Sequence, residues 1–71
     1  MSLGKMIELK GVWGKVLVRP SAVVYLDQTT WREIDGSKQV PAVSIGLRGG
    51  NGAVLAYGTV EEVMEALGGH L

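Results

Sequence analysis

The chain has 71 residues, enough for one small domain, and such a domain buries only about 60% of the surface that its unfolded chain exposes. Seven Lys and Arg balance seven Asp and Glu, so no net charge draws in a polyanion, and the absence of cysteine excludes disulfide and thiolate-metal staples. At 46% hydrophobic and 20% charged the composition is globular, and no apolar run approaches the ~20 residues of a membrane-spanning helix.

Residues 1–5 lack the basic stretch and apolar core of a secretory signal, which makes a cytoplasmic location the expectation. They read as a disordered start or a cloning remnant ahead of a single domain over residues 6–71. Ten valines and three isoleucines, broken up by eleven glycines, favour short strands. Ile7-Glu8-Leu9-Lys10 alternates, Gly11 to Gly14 supplies a turn, and Lys15 to Val18 returns as the second arm of a hairpin. Pro20 ends that arm, because it has no N–H to give to a ladder.

A third strand is predicted over 22–28, with a continuation through Thr29, Thr30 and Trp31. Asp35-Gly36-Ser37-Lys38 signals the next turn. Beyond Pro41, the residues Val43, Ile45 and Leu47 alternate with Ser44, Gly46 and Arg48, which gives a fourth strand. Gly49-Gly50-Asn51-Gly52 forms a loop, and 53–57 returns as a fifth strand. Thr59-Val60-Glu61-Glu62 then fits a capping box. Val60, Val63, Met64 and Leu67 fall on one helical stripe, and Gly68-Gly69 ends the helix. The expected fold is α+β: a five-stranded antiparallel β-meander or small partly open barrel with one short C-terminal helix.

The faces of this sheet are unequal. Ile7, Leu9, Val16, Val18, Ala22, Val24, Leu26, Val43, Ile45 and Leu47 can all point towards the helix. That leaves Leu17, Val23 and Tyr25 on the second face, joined by Val54 with Ala56 or by Leu55 with Tyr57. One helix of about two turns cannot cover both sides. Four contiguous side chains of this size would make a patch of roughly 300–400 Å², the scale at which patches mark interaction sites. Leu17, Val23 and Tyr25 are therefore expected to form a homo-oligomeric contact, a dimer being the commonest closed form.

Catalytic and metal-binding patterns are not legible. His70, the sole histidine, follows a glycine pair at the chain end, and Glu61, Glu62 and Glu65 scatter around the helix rather than converging. Ser2, Ser21, Ser37 and Ser44 have no evident base, and Asp27, Glu33 and Asp35 lack a pocket that would set their protonation apart. Gly46 to Gly52 lacks the Gly-Lys-Ser/Thr ending of a phosphate loop. No enzyme activity, cofactor or metal is expected. Trp31 and Arg32, placed in a central loop, are the candidate partner-binding pair, although Trp31 could instead pack on the sheet edge. Trp13 is expected to cap the barrel end. A nucleic-acid interface would draw on Lys10, Lys15, Arg19, Trp31 and Arg32, but these bases are interleaved with acids.

Two resemblances follow. The succession Met6-Ile7-Glu8-Leu9, Gly14-Lys15, Val23-Val24-Tyr25-Leu26 and Gly58-Thr59-Val60-Glu61-Glu62-Val63 resembles the layout of small flagellar FlbD-type proteins of bacteria and of short phage proteins. The segment from Trp31 to Pro41 is longer than the connection in that layout. The resemblance implies a β-meander plus helix, without catalytic residues. Val18 to Leu26 is also similar to a strand of LytTR-type DNA-binding domains, which implies nucleic-acid binding as the alternative function.

Overall fold

The computed structural model describes residues 6–33, 36, 38–49 and 52–68. The residues 1–5, Asp35, Ser37, Gly50, Asn51, Gly69 and His70, on which expectations above rest in part, lie outside the described residues. Five strands and two helical segments follow in order: β1 (Ile7–Gly11), β2 (Gly14–Val18), a 3-10 turn (Pro20–Ala22), β3 (Val23–Arg32), β4 (Gln39–Leu47), β5 (Ala53–Tyr57) and α1 (Val60–Ala66).

All strand pairings are antiparallel, in the order β2-β1-β5-β4-β3. This is the α+β architecture expected from the sequence, in its partly open form. Chain neighbours lie side by side in this open sheet except β2 and β3, which are its two edges. A plain meander would pair those two strands. Here Pro20 opens a 3-10 turn that redirects the chain, and β2 and β3 become the two edges. The hairpin β1–β2 joins the other three strands through the pair Gly11–Ala56, supported by Val12 N–H donating to the Leu55 carbonyl at 3.1 Å.

The core is the inner face of this sheet, covered by α1. Leu9, Val18, Val43, Ile45 and Ala56 from the sheet meet Val63 and Leu67 from the helix end of the chain, all buried. Ile7, Val16, Val23, Leu26, Leu47, Val54 and Val60 pack around them. Val54 and Ala56 thus face inwards and Leu55 and Tyr57 outwards. The helical stripe is narrower than the sequence spacing suggests: Val63 and Leu67 are buried, whereas Met64 lies on the flank and stays exposed.

Three local devices hold α1 in place. Thr59 and Glu62 form the expected capping box: Glu62 N–H donates to Thr59 Oγ1 at 3.1 Å, and Thr59 N–H donates to Glu62 Oε1 at 2.9 Å. Gly58, at φ +116°, makes the bend between β5 and the cap, a conformation that L side chains rarely adopt. Gln28 supplies the third device. Its Oε1 accepts from the Val60 N–H at 2.8 Å, while its Nε2 donates to the carbonyls of Ala42 at 2.9 Å and Gly58 at 3.2 Å.

β4 carries Pro41 in its interior, although it is flanked by strands on both sides. Proline normally avoids such positions because it cannot donate to the ladder. Gly58 N–H donates to the Pro41 carbonyl at 3.0 Å, so Pro41 turns its backbone towards β5. The return bond to the Gly58 carbonyl is the one proline cannot make, and the Gln28 amide fills it.

Candidate interaction surface

β3 includes the predicted continuation through Trp31 and ends one residue later, and β4 begins at Gln39, ahead of Pro41. Their pairing continues through Trp31–Val40 and Arg32–Gln39, and Glu33 N–H donates to the Lys38 carbonyl at 3.1 Å. Trp31 therefore lies in the continuation of the third strand predicted from the sequence, and Arg32 extends it by one residue, so the pair is not in a central loop. Most of the segment between Trp31 and Pro41 is the distal end of this hairpin.

The register between β3 and β4 shifts between Val23 and Tyr25. Val23 stays opposite Leu47 and packs against the core, Tyr25 turns outwards opposite Gly46, and Val24 is the extra residue of the bulge. This reverses the sequence-based assignment of the two valines. Val23 is not on the second face with Leu17 and Tyr25, and Val24 is not in the core. One inserted residue inverts the alternation for everything before it. Val24 is 61% exposed and Tyr25 51% exposed. Leu17 is exposed on the outer face of β2, opposite Glu8, as the alternation predicts.

Tyr25 shapes the outer face in a specific way. A β-carbon at Gly46 would fall within its ring, so the ring lies flat on the backbone of β4 and Gly46 is buried beneath it. Beside it, Val23, Val24, Tyr25, Leu26, Val60 and Met64 line a shallow apolar groove of about 360 Å³ between the β3 edge and α1.

Along that edge β3 offers unpaired backbone. Because Pro41 faces β5, the alternation of an antiparallel ladder turns Ala42 and Ser44 towards β3, where they meet Thr29 and Asp27. The intervening residues Leu26, Gln28 and Thr30 turn their N–H and C=O groups away from β4, to the side where no strand follows among the described residues. Edge strands in stable monomers are usually short or interrupted by Lys or Pro. β3 is ten residues long and has neither, and its bulge at Val24 leaves Tyr25 to Arg32 as a regular edge that carries the charges Asp27 and Arg32.

At the distal end, Trp13 from the β1–β2 turn meets Trp31 edge to face, with ring centroids 5.1 Å apart and planes at 77°. Trp13 is 74% exposed and takes no part in the core, so it does not cap the barrel end. Sequence reasoning missed this contact, since nothing local to either tryptophan signals the other. Lys10 and Lys15 oppose each other across the β1–β2 ladder beside this corner, and Lys15 Nζ lies 3.9 Å from Glu8 Oε2. Both partners of that ion pair are well exposed, so it contributes little. Arg19 lies past the opposite end of β2, away from Lys10, Lys15, Trp31 and Arg32. The five candidate nucleic-acid residues are thus not assembled in one place.

Among the described residues, no group of three or more His, Cys, Asp or Glu could hold a metal, and no polar or charged residue is buried. No helix among them is long and apolar enough to cross a membrane. No family model matches the chain, nor does any curated protein or solved structure.

Proposed function

We propose that the chain is a non-enzymatic protein-interaction module that works by self-association, with a homodimer as its basic form. The observation that supports this reading is the ten-residue open edge of β3, flanked by the exposed Val24, Tyr25 and Met64. An apolar fringe beside unsatisfied backbone groups is what strand-mediated association requires. Tyr25 keeps the interface role expected from the sequence and Val24 takes the place of Val23, while Leu17, exposed on β2 at the other edge of the sheet, lies outside this surface. Trp31 and Arg32, at the far end of the same strand, extend the surface for a protein partner. The likeness to FlbD-type layouts agrees with a module that has no catalytic residues.

Sedimentation at micromolar concentration tests the reading. The wild-type chain is expected to sediment as a dimer, and Tyr25→Asp to shift it towards monomer by placing a charge on the apolar fringe. A wild-type monomer whose sedimentation Tyr25→Asp leaves unchanged would overturn it.

A second reading, nucleic-acid binding, draws on the Trp13–Trp31 corner beside Lys10 and Lys15, since exposed aromatic rings near cations can stack bases. Heparin retention that falls steeply with salt would support it, and flow-through would remove it.

A further inference from the structure

We propose that two copies of the chain pair antiparallel through β3, with Gln28 of each copy at the two-fold axis, to make one continuous sheet. This rests on the self-association reading above and gives it a geometry.

The outward-facing backbone groups beyond the bulge are those of Leu26, Gln28, Thr30 and Arg32. A two-fold axis perpendicular to the sheet preserves its faces, so a residue can oppose only one of its own alternation class in the second copy. That leaves a short set of registers, and charge separates them. Centring the seam on Asp27 sets two carboxylates directly opposite each other. Centring it on Thr30 opposes Asp27 to Glu33 of the second copy. Like charges directly opposite are destabilising across strands. Centring on Thr29 lays Asp27 against Trp31 and Leu26 against Arg32, while centring on Leu26 runs the seam into the bulge at Val24.

Centring on Gln28 sets no like charges opposite each other and keeps the hydrogen-bonded part of the seam, Leu26 to Thr30, clear of the bulge at Val24. Leu26 then exchanges hydrogen bonds with Thr30 of the second copy, Gln28 with its own counterpart, and Thr30 with Leu26, on the order of six bonds in all. On the outer face Tyr25 stands opposite Trp31 of the second copy, twice by symmetry, which sets no charge against another there, while the Tyr25 ring itself lies over Gly46 of β4 and the Trp31 ring against Trp13. Asp27 opposes Thr29, and Arg32 meets the bulge residue Val24 only at the two ends of the seam.

Residue-resolved amide exchange at dilute and concentrated protein, combined with sedimentation, tests the geometry. At concentrations where the chain is dimeric, the amides of Leu26, Gln28 and Thr30 are expected to exchange more slowly than in dilute solution, by on the order of tenfold or more. Those of Asp27, Thr29 and Trp31, bonded to β4 in either state, are expected not to respond. Thr30→Pro removes one outward N–H without touching the β4 ladder, and is expected to sediment as a folded monomer. A dimer in which the Leu26, Gln28 and Thr30 amides exchange at their dilute rates would overturn the edge geometry while leaving self-association standing. A monomer up to about 1 mM would remove both.

Discussion

Gln28 and Pro41 are complementary: the side-chain amide of Gln28 donates to the Gly58 carbonyl that Pro41, lacking an N–H, leaves unfilled. The same amide group holds the first turn of α1 through Val60. One polar side chain thus repairs the sheet at its only described interior proline and fixes where the helix begins.

Replacing Gln28 with Ala is therefore expected to destabilise the chain by about 0.5–1.5 kcal/mol, the net worth of such bonds, since the Gly58 carbonyl and the Val60 N–H are exposed and water can replace the lost amide. Urea unfolding of the monomeric form measures this. Gln28→Ala is also expected to increase amide exchange across α1 more than across β1 and β2.

Thr59→Ala removes one half of the capping box and is expected to cost about 1 kcal/mol. In a domain of this size that corresponds to a fall in Tm of roughly 4–8 °C. Thr59→Asp, which retains an oxygen able to accept from the Glu62 N–H, is expected to recover most of it. Differential scanning calorimetry of the three chains distinguishes a capping effect from a general loss at this position.

Gly46→Ala forces the Tyr25 ring off the backbone of β4. The expected cost is about 1–3 kcal/mol, the usual range for overpacking. The double variant with Tyr25→Ala is expected to lose much less than the two single changes together, because the second substitution vacates the space that the new methyl group needs. Additive losses in a double-mutant cycle would show that the ring is not the obstacle.

Leu67→Ala opens a cavity where α1 meets the sheet, since Leu67 is fully buried. A loss of about 2–5 kcal/mol is expected, which a domain this small tolerates poorly. Leu17→Ala, on the exposed outer face, is expected to change monomer stability by less than about 0.5 kcal/mol. Chemical denaturation of both variants checks the contrast.

Much of this architecture was legible in the residues because the signals are local. Alternation in 7–10 and 43–47, the Thr59–Glu62 capping box and the Val63–Leu67 spacing each lie within a few positions of the element they define. The failures share an opposite property. Val23 and Val24 are chemically identical, so nothing in the sequence says which of them the bulge expels. The fourth strand was expected only beyond Pro41, and what lets it start at Gln39 comes from a side chain thirteen positions before the proline, acting on a carbonyl thirty positions further along than itself. Trp13 and Trp31 meet only because two hairpin ends converge in space. The candidate surface was half readable for the same reason. Tyr25 follows from alternation, whereas the open edge follows from strand order.

The seam at Gly11 and Ala56 has a kinetic consequence. It ties the first strand to the last, so the enclosed loop spans most of the sequence and carries a correspondingly large closure entropy. β3, β4 and β5 can zip together through short connections, but during synthesis the sheet stays incomplete until the final strand has left the ribosome. Folding is expected to be limited by this late docking of the leading hairpin, with the emerging chain exposing its greasy side until then.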